Sequence, residues 1–481
     1  MAPLSRLGGR ALADLLPDLR RMPGPVYSAL ARSITSLVLD GRIATETRLP
    51  SERELATALQ VSRATVTSAY DSLRADGFLD SRTGSGSYVT VPAGSRPRSL
   101  LARWSTGATD VADLIDLSCA ALPAPPDLLP AAVTTAAARL SPYLLGDGYE
   151  PAGLPVLREA VAARFTARGA ATRPEQILVT NGSLHGVDLL LRLLVGPGDR
   201  VLTELPSYPG ALDAIRANGG RVVPVPMAAQ GGWQVDQLQA TLRQTSPRLA
   251  YLTPDFHNPT GALIPEADRR AVLTVARQTG TAVVVDESFV DLGFDGVTAP
   301  ATAVLDPTVI TVGSISKPVW GGLRIGWLRA STDLVHRLAA LRTSIDMGGA
   351  VLDQLVAAEL FPHIDQIAAE RLTQLRPQRD ALLGALAAEL PEWRVQLPQG
   401  GLSLWAELPA PLSTPLTMMA APAGVVVVPG SRFGVDGTLE RFLRLPYALA
   451  PDRLVEAVHR LAGVWTQLDG SGMASRQLVV A

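Results

Sequence analysis

Between Tyr27 and Gly77, apolar side chains recur three and four positions apart, the period of helices with one buried face. Leu30, Ile34, Leu37 and Val38 stripe a helix over Tyr27–Leu39. After Gly41, Ser51 stands as the N-cap of a second helix, with Glu54 as its capping-box partner, and that helix ends near Leu59. A turn through Gln60 and Val61 leads to another N-cap, Ser62, and a helix to Asp76 closed by Gly77. Its apolar stripe is Val66, Ala69, Tyr70 and Leu73, while its first turn offers Ser62, Arg63, Thr65 and Thr67. Short strands around Leu79 and Tyr88–Val91 flank Thr83-Gly-Ser-Gly, a tight hairpin tip. Two helices across a short turn, then a hairpin, describe a winged helix-turn-helix whose second helix enters a major groove. A small helical protein-interaction domain shares that periodicity.

From Leu114 the pattern changes. Apolar runs at Gln176–Thr180, Arg200–Glu204, Leu249–Thr253, Ala282–Asp286, Thr308–Gly313 and Arg324–Leu328 alternate with helical stretches. Continuous apolar strands separated by helices predict an α/β domain with a mostly parallel sheet covered on both faces. Between the two regions, Val91-Pro-Ala-Gly-Ser-Arg-Pro-Arg-Ser opens a polar linker reaching to about Asp113. The expected division is a reader over residues 1–92, a linker over 93–113, the α/β domain over 114–465 with a smaller C-terminal subdomain, and a tail over 466–481.

Composition narrows the partners. The 481 residues carry a formal net charge of −2, so nucleic-acid contact has to be local rather than spread over a polycation. Cys119 is the only cysteine, which leaves no internal disulfide and no cysteine-based metal cluster; no metal is expected. Apolar runs such as Ala282–Val285 and Val425–Val428 are strand-sized, far short of a membrane span, and no signal core opens the chain. A soluble cytoplasmic protein is the expectation.

Among 43 basic side chains only Lys317 is a lysine. Arginine serves ion pairing and phosphate contact equally well, but Schiff-base chemistry needs a primary amine that can lose its proton. The lone lysine therefore reads as a covalent anchor rather than a leftover surface charge. In parallel sheets, ligands sit beyond the strand C-termini, and several suitable residues fall there. Asn181, Gly182 and Ser183 make a small-residue turn at a helix N-terminus, where free N–H groups suit an anion. Asp286 ends a strand and suits a pyridinium N–H. Ser314, Ser316 and Arg324 bracket Lys317 with groups suited to a phosphate. Asn258 lies on another strand-end loop, and Tyr208 offers a flat ring. His185 and His257 read as hydrogen-bonded neighbours rather than catalysts.

Leu49-Pro-Ser-Glu-Arg-Glu-Leu-Ala, Val61-Ser-Arg-Ala-Thr-Val and Arg82-Thr-Gly-Ser-Gly-Ser-Tyr-Val strongly resemble the GntR family of bacterial regulators, over Pro25 to Val91. That resemblance implies that Arg53, Ser62, Arg63, Thr65, Thr67 and Gly84 touch double-stranded DNA. From Leu114 to Ala462, the order and spacing of Asn181-Gly-Ser, His257-Asn-Pro-Thr-Gly, Asp286, Ser314-Ile-Ser-Lys and Gly322-Leu-Arg-Ile-Gly look like the pyridoxal-phosphate enzymes of fold type I, the aspartate aminotransferase superfamily. This second resemblance implies an internal aldimine at Lys317, the catalytic residue, with Asp286 on the pyridine nitrogen and Asn258 on the 3-hydroxyl. It implies Tyr208 stacked on the ring, and Gly182, Ser183, Leu184, Ser314, Ser316 and Arg324 around the phosphate. Tyr149 matches a tyrosine that reaches a partner subunit's phosphate, which implies a homodimer. Arg444, in Leu443-Arg-Leu-Pro-Tyr, matches the arginine that grips an amino acid's α-carboxylate. Two residues depart from the pattern. Phe289 stands where tyrosine is usual, and Leu184 where glutamine is common.

The combination resembles the MocR subfamily of regulators. It implies a dimer that senses pyridoxal 5'-phosphate, a small amino-compound effector, or both, and adjusts its grip on a DNA operator. The alternative is a working aminotransferase carrying a regulatory DNA-binding domain. A cofactor used only as a structural prop would leave Arg444 without a purpose.

Overall fold

The computed structural model describes residues 6–13, 15–16, 19, 25–39, 43, 46–82, 86–90, 114–228, 232–435 and 438–470. At the N-terminus, α1 (Gly9–Ala13), α2 (Val26–Leu39), α3 (Glu52–Leu59) and α4 (Arg63–Ala75) share one core, and β1 (Leu79–Arg82) pairs antiparallel with β2 (Gly86–Val89). All eight stripe residues named from the sequence on α2 and α4 are buried. Tyr70 enters that core with its hydroxyl donating to the Pro50 carbonyl at 2.8 Å, so its burial leaves no orphaned polar atom.

Ser51 accepts from the Glu54 N–H at 3.2 Å and Ser62 from the Thr65 N–H at 3.1 Å, so both N-caps form. The capping box at Ser51 does not close. Glu54 Oε1 instead accepts from the Gly9 N–H at 2.8 Å, which ties α1 onto α3. The hairpin tip at residues 83–85, with the candidate contact Gly84, and the linker at 93–113 lie outside the described residues.

The large domain is built on a seven-stranded sheet: β4 (Ile177–Thr180), β10 (Gly326–Arg329), β9 (Ile310–Ser314), β8 (Ala282–Asp286), β7 (Leu249–Leu252), β5 (Arg200–Leu205) and β6 (Arg221–Pro226), in that spatial order. Only β10 runs antiparallel to its neighbours. Six of these strands lie within a few residues of their expected positions. The sequence pattern missed β6, an edge strand in which Pro224 and Pro226 weaken the apolar signal and which only the edge tolerates.

Alternate residues of β8 explain the two covered faces. Val284 joins a layer with Leu189 and Leu190, and Val283 and Val285 join another with Leu238, Leu242 and Val272. A smaller subdomain follows. In it β11 (Arg394–Val395), β12 (Ser403–Glu407), β15 (Phe442–Pro446) and β14 (Val428–Pro429) form an antiparallel sheet, beside the helices Ile364–Glu389 and Pro451–Gly470. The last helix carries Trp465 and Leu468 into the core, so packing continues past the boundary expected at residue 465. Near the domain's start, β3 (Ile115–Asp116) pairs in parallel with β13 (Val425–Val426), which lays the chain that follows across the mouth of the sheet.

Candidate functional site

Strand ends bring the candidates together. β4 gives way at Thr180 to Asn181 and to Gly182, whose φ of 83° lies in the left-handed region, and Ser183 opens the helix Ser183–Leu194. A Cβ on Gly182 would stand 2.6 Å from Arg324 Nη2, and one on Gly326 would stand 2.4 Å from the Gly182 carbonyl carbon. Gly182 needs glycine for its left-handed φ, and Gly326 because its segment meets the backbone of Gly182 and Ser183. Arg324, itself at φ 55°, donates from Nη2 to the Asn181 carbonyl at 2.8 Å, which sets its guanidinium beside the first turn of the helix that Ser183 opens. Ser314 ends β9, accepts from the Ser316 N–H at 3.1 Å and lies 2.9 Å from Ser316 Oγ. The result is a cradle of backbone N–H groups, hydroxyls and one guanidinium, the donor set for a phosphate dianion.

Lys317 follows directly. Its Nζ donates to the Ala120 carbonyl at 2.8 Å and lies 5.3 Å from the centre of the buried Phe289 ring. Burial pushes its ammonium below the usual lysine range; Arg444 and Arg324 act in the same direction, against Cys119 and Asp286. Asp286 is buried at the end of β8, with Oδ2 accepting from the Tyr251 hydroxyl at 2.8 Å and Oδ1 from the Ser288 N–H at 2.9 Å. Burial raises its carboxyl, and both of those hydrogen bonds and Lys317 hold the rise back. Tyr208 is within electrostatic reach of Asp286, Arg444 and Cys119, and burial raises its hydroxyl as well.

Arg444, on β15, donates from Nη2 to the Ser118 carbonyl and lies 5.0 Å over the Phe433 ring. Its Nε is buried without a partner, and burial pushes the guanidinium down to about 10. Asn258 Oδ1 is also buried and unpartnered. A phosphate cradle, a depressed lysine, a buried carboxylate and an arginine with an unpartnered Nε fit pyridoxal phosphate and the carboxylate of an amino compound.

The segment Ser118–Cys119–Ala120 contributes two carbonyls to this site, one to Arg444 and one to Lys317. Sequence reading passed over its role, since its partners lie hundreds of residues away and carbonyls leave no side-chain signal. Tyr251 was also missed. A phenol inside the fully buried run Leu249–Leu252 was the available clue, because such a hydroxyl demands a partner. His185 accepts from the Asn181 N–H at 3.1 Å, the neighbourly role expected of it. Tyr149 is 58% exposed, and Leu184 sits at the surface.

On the N-terminal region, Arg53, Ser62 and Arg63 are exposed, while Thr65 and Thr67 are half-buried. The Thr67 hydroxyl donates to Glu52 Oε2 at 2.8 Å, and the same oxygen lies 3.5 Å from Arg63 Nε. Arg63 thus stands at the N-terminus of α4 with its guanidinium oriented by a carboxylate from α3.

Among the described residues no helix is long and apolar enough to cross a membrane, and no cluster of three metal-binding side chains occurs.

Residues 113–461 match the family Aminotransferase class I and II, and residues 26–89 match Bacterial regulatory proteins, gntR family. The probable rhizopine catabolism regulatory protein MocR of Rhizobium meliloti is 29% identical over 93% of this chain and 95% of its own length. The uncharacterized HTH-type transcriptional regulator YisV of Bacillus subtilis is 30% identical over 80% of this chain and 84% of its own. Among solved structures, LysN, an alpha-aminoadipate aminotransferase from Thermus thermophilus complexed with N-(5'-phosphopyridoxyl)-L-leucine, matches with a TM-score of 0.68 and 32% identity, covering 75% of this chain and 94% of that one.

Proposed function

The chain belongs to the aminotransferase class I and II family and carries a gntR-family region ahead of that domain, and from this premise we propose that it is a DNA-binding transcriptional regulator of the MocR type that holds pyridoxal 5'-phosphate at Lys317 and responds to a small amino compound. The observation that carries the reading is the pairing of two candidate sites on one chain. An exposed recognition helix stands at one end, and a depressed lysine facing Asp286 and Arg444 stands at the other.

Bound pyridoxal phosphate supplies an aldehyde that condenses with primary amines and a ring that withdraws electrons when its nitrogen is protonated. Lys317 presents the amine, and its burial leaves more of it unprotonated near neutral pH than an exposed lysine would have. Asp286, steadied by Tyr251 and Ser288, accepts the ring N–H. Asn258 donates to the 3-oxygen, and Tyr208 stacks on the ring. Gly182, Ser183, Leu184, Ser314, Ser316 and Arg324 hold the phosphate, completed by Tyr149 of the partner subunit. Arg444 grips the effector's α-carboxylate with the guanidinium edge that carries the unpartnered Nε.

Exposed Leu144, Leu145, Tyr149, Ile345, Met347 and Leu352 support a homodimer, since the segments around Gly148 and Val351, and around Glu150 and Gly348, touch. On α4, Arg63 reads base edges, with Arg53, Ser62, Thr65, Thr67 and Gly84 completing the DNA contact. The effector changes DNA affinity only as far as it binds the two states of the protein unequally. We place the regulator in the cytoplasm, with its operator.

An aminotransferase with an attached DNA-binding domain is the second reading, favoured by the intact set of Lys317, Asp286 and Arg444. Operator binding with and without cofactor, measured beside multiple-turnover transamination with 2-oxo acids, tests the two. Cofactor-dependent operator affinity with negligible turnover supports the regulator. Brisk turnover with cofactor-independent DNA binding supports the enzyme.

A further inference from the structure

Behind the cofactor-facing residues lies a second polar cluster that the chemistry above does not use. Glu204, next to the end of β5, Thr253, just after β7, and His257, on the loop leading to Asn258, are 1%, 3% and 1% exposed. Glu204 Oε1 accepts from the Thr253 N–H at 2.9 Å and lies 3.4 Å from His257 Nε2. The other imidazole nitrogen, Nδ1, is 2.9 Å from Thr260 Oγ1, and Trp233 meets the His257 ring edge-on with centroids 5.8 Å apart. Glu204 Oε2, His257 Nε2, Thr253 Oγ1 and Trp233 Nε1 are all buried without a hydrogen-bond partner. Four such atoms in one place, one of them on a carboxylate, are costly unless the group does something else.

The cluster borders the chain segments that carry Asn258 and the Asp286 partner Tyr251. His257 precedes Asn258 in the chain, and its N–H donates to the Ala262 carbonyl at 2.8 Å, closing the loop that carries Asn258. On the other side, the Tyr251 hydroxyl donates to Asp286 at 2.8 Å, and Thr253 lies two residues further along the same run. The Tyr251 hydroxyl is held protonated by burial first, then by Asp286, and also by the charge of Glu204. A single buried carboxylate thus borders the Asn258 loop through an imidazole and lies within electrostatic reach of the phenol that donates to Asp286.

We propose that Glu204 and His257 form a buried acid–imidazole pair that positions the Asn258 loop and keeps the field behind Asp286 negative, so that the ring nitrogen of the bound cofactor keeps its proton. These are positioning residues and touch neither cofactor nor effector. In this arrangement the Thr260 hydroxyl donates to Nδ1, which leaves the His257 proton on Nε2, facing Glu204.

The inference rests on the cofactor reading above, and its test separates the two. Glu204→Gln preserves the shape and the acceptor for the Thr253 N–H while removing the charge. Relative to the native protein, it should release pyridoxal phosphate about tenfold more readily, and the absorbance change of the bound cofactor should move down by about one pH unit, because a cationic ring loses its distant counter-charge. His257→Gln, which keeps an N–H donor at the Nε2 position, should stay near native. His257→Leu should follow Glu204→Gln, since an unpartnered buried carboxylate takes up a proton.

A Glu204→Gln protein whose cofactor affinity stays within about twofold and whose titration does not move overturns the proposal. The native protein offers an independent check through its 15N-labelled histidines. A His257 signal with Nε2 bare of a proton overturns the proposal without any substitution. If native protein binds no pyridoxal phosphate at all, the cofactor reading itself falls, and the histidine spectrum still decides the pair.

Discussion

The two functional regions solve opposite problems. In the reader, Arg53, Ser62, Arg63, Thr65 and Thr67 lie on two consecutive helices and the turn between them, and the Arg63 side chain is 73% open to solvent. Its charge costs little there, and its contact with Glu52 is the weak kind that a base edge displaces. In the sensor, Lys317 draws on Ala120 and Arg444 on Ser118, partners separated by 197 and 326 residues. The groups there are buried, and their charged forms are shifted by that burial. Exposed recognition is built locally and tuned by competition with solvent. Buried chemistry is built from distant segments and tuned by desolvation, so its residues are far less interchangeable.

Breaking the sensor at its anchor should have the largest effect. Lys317→Ala removes the only lysine, so borohydride should trap no cofactor on the chain; a trapped adduct mapping anywhere but the α-amino group overturns the assignment. Arg444→Leu should weaken an amino acid's effect on the bound cofactor's spectrum by about 2–5 kcal/mol, the loss for a buried charge contact. An amine lacking the carboxylate should bind both proteins alike, and equal losses for the two ligands would show that Arg444 only packs.

Arg63→Ala should reduce discrimination between operator and random duplex by about 1–3 kcal/mol, the worth of a bidentate base contact. Competition binding at fixed salt measures it, and equal losses on both duplexes would reduce Arg63 to a phosphate contact.

Two smaller effects are read by pH. Phe289→Tyr adds a hydroxyl that donates to the ionised 3-oxygen and should lower the pKa of the bound chromophore; the native protein, with Asn258 alone there, titrates higher. An unchanged pKa would remove this support for a sensor over a fast enzyme. Lys317 is held low by burial, with Arg324 contributing to the lowering. Cofactor attachment should therefore accelerate as pH rises through that lowered value and level off above it. Arg324→Leu removes a neighbouring positive charge, so the same rise should shift to higher pH, and stopped-flow absorbance follows both curves.

Much of this was legible along the chain. The stripes of α2 and α4, the N-caps Ser51 and Ser62, and six strands of the large sheet follow from periods of 3.6 and 2, which nearest-neighbour sterics impose on any helix or strand. The single lysine and the residues at strand ends pointed to the site because parallel sheets place loops on one rim. Glu54 was misread as a capping-box partner because its true partner, Gly9, lies 45 residues away. The edge strand β6 escaped notice because its prolines interrupt the apolar run.

By itself the sequence determined which segments are helix or strand, where the chemistry-bearing side chains fall, and that a single lysine offers its amine, since these depend on local geometry and on residue type. Only the tertiary structure decided that Ser118 and Ala120 present carbonyls to Arg444 and Lys317, that Tyr251 steadies Asp286, and that Glu204 stands buried beside His257. Those relations depend on which distant surfaces pack together, and burial then sets the charge each group carries. Desolvation belongs to a place in the fold, and the linear chain does not encode that place residue by residue.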